Sequence, residues 1–203
     1  ENGKVEKIEN VSAKHAEETL SQKELSQLEI AQSEIRYRNV KQLQVRHLNF
    51  AYPDGKQILK DISFKAEKGQ IIGITGPVAC GKSTLGKVFL CEYPYEGQIL
   101  VDGKELQNMP QSWQTNIIGY LGHDPELFND SVENNVLMGE QKKTEDFLKM
   151  VCMAEEVNEM DDGLQTLVGN GGVRLSGGQG KRLALARTLC HKKPVLVLDD
   201  PFS

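Results

Sequence analysis

Residues 76–84 read Gly-Pro-Val-Ala-Cys-Gly-Lys-Ser-Thr, and they stand between an apolar run, Ile71–Thr75, and a helix-like stretch, Lys82–Leu90. The spacing Gly-x4-Gly-Lys-Ser is that of a phosphate-binding loop. Gly76, Pro77, Val78, Ala79, Cys80 and Gly81 carry little side-chain bulk, so backbone N–H groups can be aimed at phosphate oxygens. The helix N-terminus that follows adds its partial positive charge. Lys82 is expected to reach the β- and γ-phosphates, and Ser83, followed by Thr84, to place its hydroxyl on Mg²⁺. The plainer reading is a Gly-rich turn before a helix. The strand expected before the loop, starting at Gly69, and the helix expected after it supply the context that nucleotide binding requires.

The rest of the composition is that of an ordinary soluble chain. With 203 residues, 38% hydrophobic and 26% charged, it is long enough for one substantial domain or a domain plus an extension. A net charge of −5 and no basic stripe argue against nucleic acid as the principal ligand. No window of about eighteen residues is apolar enough to span a bilayer. The start, Glu1-Asn2-Gly3-Lys4, is neither a signal peptide nor an initiator Met, so a piece of something longer is expected. Cys80, Cys91, Cys152 and Cys190 show no Cys-x-x-Cys pairing and lie in or near apolar helical patterns, which reads as reduced cytosolic thiols. Cys80, inside the phosphate loop beside Lys82, is expected to be the reactive one, the other three having apolar neighbours.

Taken in order, Glu1–Ile35 is polar with loosely spaced apolar residues and cannot make a core alone; an exposed helix or linker is its plain reading. From Leu43 to Glu67 apolar residues alternate around Pro53-Asp54-Gly55, which predicts two antiparallel strands and a turn. Short strands are expected at Gln98–Val101 and Asn116–Leu121. Between Ser131 and Met160 the period becomes helical, and Gly163–Val173 returns to loop. A further helix is expected over Gly178–Cys190, then a short apolar strand, Pro194–Leu198, buried on both faces.

Two more motifs flank that last helix. Leu175, Ser176, Gly177, Gly178 and Gln179 precede it, so a serine and two glycines again stand at a helix N-terminus ready for an anion. Asp199 and Asp200 follow the apolar strand, where parallel-sheet proteins place their chemistry. Two acidic residues after a strand are usually a solvated turn. In a chain with a phosphate loop they read as an Mg²⁺-holding site.

Assembled in this order, the motifs resemble the nucleotide-binding domain of ABC transporters, from about Val45 to Ser203. The resemblance implies an α/β fold: a P-loop NTPase (RecA-like) core with an antiparallel β subdomain and an α-helical subdomain, the C-terminal part of the domain missing. It divides the chain into a linker, residues 1–40, and an ATP-binding domain, residues 41–203, with the helical subdomain at about 125–175. Residues 76–84 match Walker A and Leu175–Gln179 the signature; Tyr52 matches the residue that stacks on adenine. Asp199 matches the Walker B aspartate that holds Mg²⁺ through water. His123 stands where the family has the Q-loop glutamine, a metal and catalytic position, and Asp200 where it has the catalytic glutamate. Both are departures, as are Ala79, usually Gly, and Asn170, usually Glu in exporters.

Residues 126–135 and 166–172, with Val11-Ser12-Ala13-Lys14, look like the exporter branch, whose domain is fused behind a membrane domain as in multidrug, lipid and peptide exporters. That branch implies ATP and Mg²⁺ as cofactors, a transmembrane domain upstream in the same chain, and a place at the cytoplasmic face of the membrane. It also implies a second nucleotide-binding domain as partner. The short side chain of Asp200, together with His123, suggests a heterodimer partner that carries the catalytic Glu. Residues 1–203 alone are expected to turn over little ATP, because none of His15, His47, His123 and His191 stands at the position of the family's switch histidine. Two alternatives stay open: a degenerate regulatory module that binds ATP and hydrolyses it poorly, and a chromosome-maintenance or DNA-repair ATPase. The second would place a long coiled coil between Lys82 and Ser176, where no sustained heptad is found.

Overall fold

The structure is a computed structural model that describes residues 39–201; the expectations for Glu1–Ile35, including Val11–Lys14, lie outside the described residues. The alternating apolar pattern becomes strands β1 (Gln42–Ala51) and β2 (Gln57–Glu67), paired antiparallel. Leu43, Val45, Leu48 and Phe50 of β1 are all buried, although the step from Val45 to Leu48 breaks the period of two. A bulge absorbs the extra residue. His47 takes φ 47°, Asp61 opposite takes φ 49°, and the register shifts between Val45 and Leu48. Hydrogen bonds offset this backbone: His47 N donates to Ser63 Oγ (2.8 Å), Asp61 N to Asn49 Oδ1 (3.0 Å), and His47 Nδ1 meets Asp61 Oδ1 at 2.6 Å. Strand β3 (Glu96–Val101) passes the same bulge, and a Cβ on Gly97 would overlap the His47 carbonyl, so only glycine fits there. With β4 (Lys104–Glu105) the sheet order is β2-β1-β3-β4.

The strand expected at Gly69–Thr75 does not form. Ile71, Ile72 and Ile74 are 95%, 43% and 51% exposed, and the chain runs without a ladder into helix α1 (Lys82–Val88). An apolar run becomes a strand only where a neighbouring strand exchanges N–H and C=O bonds with it, and none among the described residues does so.

After a 3-10 turn at Leu106–Asn108, helix α2 (Gln111–Ile117) occupies residues for which no helix was expected. It shortens the predicted strand to β5 (Ile118–Leu121). β5 pairs in parallel with β8 (Val195–Leu198), matching Ile118 with Val195 and Leu121 with Leu198. β8 was expected to be buried on both faces. It is half-buried, with Leu198 exposed, because among the described residues β5 is its only hydrogen-bonded neighbour.

Between these strands lies a helical region: β6 (Asp130–Ser131), α3 (Val132–Leu137), α4 (Thr144–Met150), α5 (Ala154–Asn158), a 3-10 turn at Gly163–Gln165, β7 (Leu167–Val168) and α6 (Gly177–Cys190). Val132, Val136, Leu148, Met153, Val157, Leu183 and Ala186 form its closed core. Leu183, Ala184, Leu185 and Ala186 are consecutive and all buried, so α6 has no broad solvent face over this turn; α3, α4 and β5 pack around it. Asn135 is fully buried and satisfied. Its amide accepts from Phe128 N (2.9 Å) and Arg187 (2.6 Å) and donates to Phe128 O and Ser131 O (both 3.0 Å). Burial lowers the Arg187 pKa, and its guanidinium lies 4.5 Å over the Phe128 ring. Among the described residues no helix is long and apolar enough to cross a membrane.

Candidate functional site

Four groups of residues carry the expected chemistry. In the phosphate loop, the Lys82 ammonium folds back and donates to Gly76 O (2.9 Å) and Pro77 O (2.8 Å), with Cys80 Sγ at 3.9 Å. The loop is therefore curled around its own cation. Gly81 caps α1 at φ 100° with no side-chain hydrogen bond, so the first-turn N–H groups of α1 are not taken by a capping side chain. A Cβ on Gly81 would lie 2.9 Å from Ile58 Cγ2, since the loop rests on β2 there. Ala79 takes φ 62°, a conformation that glycine adopts more cheaply. Val78 and Cys80 are exposed at the loop surface.

Asp199 follows β8 and is held by its own N–H to Leu121 O (2.8 Å), which continues the β5–β8 ladder. The parallel pairing of these strands brings their C-terminal ends together. His123 Nδ1 and Asp200 Oδ2, far apart in sequence, consequently lie 3.4 Å from each other, and His123 Nε2 is 3.9 Å from Asp124.

Tyr52 is packed rather than free. Its ring meets Phe50 edge-on (5.0 Å between centroids) and Tyr93 (5.9 Å), and these rings help wall a cavity of about 320 Å³. Lys87, Glu92 and Tyr120 complete the side of it that bears polar groups. The Tyr120 hydroxyl is buried without a hydrogen-bond partner, and burial, then the nearby Asp199 carboxylate, pushes its pKa up. The sequence reading singled out Tyr52 but not Tyr93, Lys87 or Tyr120; only folding brings them together.

At the start of α6, Ser176 Oγ accepts from Gln179 N (3.2 Å) and Gln179 Oε1 accepts from Ser176 N (2.9 Å), a capping box. Ser176, Gly177 and Gly178 are exposed, and a Cβ on either glycine would meet nothing within 4 Å. Gln179 Nε2 donates to Glu156 Oε2 (2.9 Å). Glu156 is also gripped by Arg182 (2.6 and 3.0 Å). Arg182, then Gln179, holds the Glu156 carboxyl below the usual carboxylate range. Neither Glu156 nor Arg182 was singled out from sequence, and no motif spacing points from one to the other. The four thiols also differ from expectation in one respect: Cys152 is exposed like Cys80, whereas Cys190 is buried.

The residues fit a nucleotide with Mg²⁺. The loop already coordinates an ammonium, and α1 offers an N-terminus without a side-chain cap to phosphate. Among the described residues no cluster of three or more His, Cys, Asp or Glu would bind a metal by itself. The Ser83 hydroxyl and the Asp199 carboxylate are oxygen donors of the kind that would suit Mg²⁺ together with phosphate oxygens and water.

Comparison with known proteins gives the family. Residues 59–203 match the sequence profile of the ABC transporter family. The chain is 40% identical over 168 residues to an ATP-dependent lipid A-core flippase of Pseudomonas aeruginosa, covering 79% of this chain and 28% of that protein. It is 35% identical over 166 residues to ATP-binding cassette sub-family B member 6 of Xenopus tropicalis, covering 79% of this chain and 20% of that protein. Among solved structures, a bacterial Atm1-family ABC exporter with ATP bound superposes with a TM-score of 0.74 at 30% identity, covering 80% of this chain and 30% of that one. The chain thus spans between a fifth and just under a third of the length of these relatives. Their shared architecture, an antiparallel sheet and helices around a phosphate-loop NTPase core, is the one described above, and the chain belongs to the ABC transporter family.

Proposed function

We propose that the chain is the ATP-binding and ATP-hydrolysing motor of a membrane exporter, acting at the cytoplasmic face behind a transmembrane domain in the same polypeptide. The observation that carries this reading is the state of Ser176, Gly177 and Gly178. They head a helix of 14 residues, are held by the capping box, and stay exposed. A preformed anion-directed helix start facing solvent suits a phosphate brought by another chain. ATP would then be sandwiched between the phosphate loop of one domain and residues 175–179 of a second.

In that arrangement Lys82 would leave the Gly76 and Pro77 carbonyls for the β- and γ-phosphates, Ser83 and Asp199 would hold Mg²⁺, and Tyr52 would face the adenine. Bound Mg²⁺ would neutralise charge on the phosphates. Asp200, whose Oδ2 lies 3.4 Å from His123 Nδ1, is the group nearest in role to a base for the attacking water. The Asp200 carboxylate reaches about 1.5 Å less far than that of a Glu, one C–C bond. This favours an asymmetric pair, in which the chain lends its intact residues 175–179 to a partner whose own site carries Glu. The second reading, a nucleotide-binding regulatory module with poor hydrolysis, draws on the same short Asp200.

The test uses the full-length protein in its complex. Asp200→Glu is expected to raise turnover at the chain's own Lys82 site, and Ser176→Arg to silence the partner's site. A homodimer whose ATPase activity is abolished by Asp200→Asn would refute the asymmetric pair.

A further inference from the structure

We propose that Glu156, on the short helix α5, is a positioning residue for the phosphate-directed start of α6. The proposal rests on the reading that Ser176–Gln179 serves ATP on a second domain. Its ground is the polarity of one amide. An ionised carboxylate only accepts hydrogen bonds, so the end of Gln179 that meets Glu156 Oε2 at 2.9 Å must be its NH₂. That choice leaves Oε1 as the end facing Ser176 N, from which it accepts at 2.9 Å. Gln179 N in turn donates to Ser176 Oγ at 3.2 Å. With an acceptor role thus assigned to its oxygen, the Ser176 hydroxyl keeps its own proton for an outside oxygen.

Glu156 does not hold this arrangement alone. Arg182, one turn beyond Gln179 on α6, donates to Glu156 Oε1 (2.6 Å) and Oε2 (3.0 Å) and also to Cys152 O (2.8 Å). The bidentate pair fixes the plane of the carboxylate, and the contact to Cys152 fixes the guanidinium against the turn before α5. The orientation passes from Arg182 to Glu156, to the Gln179 amide, to Ser176. Without Glu156 the Gln179 amide can rotate by half a turn, presenting N–H to the Ser176 N–H and opening the capping box. An effect of this kind falls on the chemistry done by α6 and leaves the Lys82 site untouched.

The experiment measures three quantities in the full-length complex: ATPase kcat, binding of trinitrophenyl-ATP at the Lys82 site, and the thermal midpoint. Glu156→Ala and Glu156→Gln are expected to lower kcat about fivefold, the equivalent of one hydrogen bond. Binding at the Lys82 site stays near that of the parent, and the midpoint falls by no more than it does in Ser176→Ala. The swap Glu156→Gln with Gln179→Glu exchanges donor and acceptor: the new amide donates to the new carboxylate, which still accepts from Ser176 N. It is expected to recover most of the kcat lost in either single variant, a rescue that a merely structural role does not produce.

Ser176→Arg separates the two ideas. If it abolishes turnover while both Glu156 variants remain within twofold of the parent, the positioning role is overturned and the reading of residues 175–179 stands. A swap no better than Gln179→Glu alone also overturns it. If Ser176→Arg itself leaves turnover intact, that reading fails and the proposal fails with it.

Discussion

The two phosphate-directed helix starts of this protein are built in opposite ways. α1 begins at Gly81 with a left-handed φ of 100° and no side-chain cap, behind a loop held by the Lys82 ammonium and by Cys80 N donating to Pro77 O (3.4 Å). α6 begins at Ser176 in extended conformation, with a reciprocal capping box backed by Glu156 and Arg182. The surroundings differ likewise. Ile71–Thr75 before the first loop is exposed and unpaired, whereas α6 is packed on a closed apolar core. Under the proposed function the first site would acquire its geometry with its ligand, and the second would possess it beforehand. A preformed site spends less ligand-binding energy on ordering itself.

The comparison can be broken most directly at Lys82. Lys82→Ala removes both the loop's anchor and the charge meant for phosphate, and ATP turnover in the full complex is expected to fall by a factor of at least about 10², the scale for removing a preorganised electrostatic group. Steady-state ATPase assays check this, and residual activity above a tenth would sink the assignment. The exposed thiols offer a second contrast. Alkylating Cys80 is expected to block nucleotide binding and ATP to protect it, while Cys152, equally exposed but on the α6 side, reacts without either effect. Mass spectrometry of the two peptides with and without ATP decides it; sensitivity unchanged by Cys80→Ser would contradict it.

Smaller effects probe stability. Ser176→Ala removes one half of the capping box and is expected to cost about 1 kcal/mol. Urea unfolding measures it, and no loss would mean that the box is not formed in solution. Ala79→Gly acts in the other direction: with φ 62° at this position, relief of the left-handed strain is expected to stabilise the loop by about 1 kcal/mol. The gain should be read as protection of residues 76–81 in hydrogen exchange; a loss of protection would argue that Ala79 is not held in this conformation.

The smallest expected effect is that of pH on α5 and α6. Arg182, then Gln179, hold the Glu156 carboxyl below its ordinary pKa of 4.5. The ionised carboxylate therefore contributes stability that is fully present above about 4.5, the unfolded value, and is lost as pH falls through the lower folded value. The pair is partly exposed, so its worth is under about 1 kcal/mol. The stability gap between the parent and Glu156→Gln should narrow below pH 4.5; a gap that does not change between pH 7 and pH 3 would dismiss the ion pair.

Features whose chemistry is carried by contiguous residues were legible in the sequence. Gly76–Thr84 and Leu175–Gln179 stand out because the successive backbone N–H groups that a phosphate would need are a property of one short run. The β1–β2 pair and α6 were legible for a related reason: periods of 2 and 3.6 are properties of a single segment. The family likeness inferred from these motifs was matched by the comparisons.

What the tertiary structure alone decided involves partners distant in sequence. Whether Ile71–Thr75 is a strand depends on a neighbour to pair with, and its own apolar residues do not supply one. The start of β5 at Ile118 depended on α2 claiming the residues before it. His123 met Asp200 because β5 and β8 run in parallel and end side by side. Tyr52 gained Tyr93 and Tyr120 as neighbours through the packing of β1, α1 and β5. Glu156 reached Gln179 and Arg182 through the packing of α5 on α6. In each case the energy lies in a contact between segments, and a pattern read along one segment does not contain it.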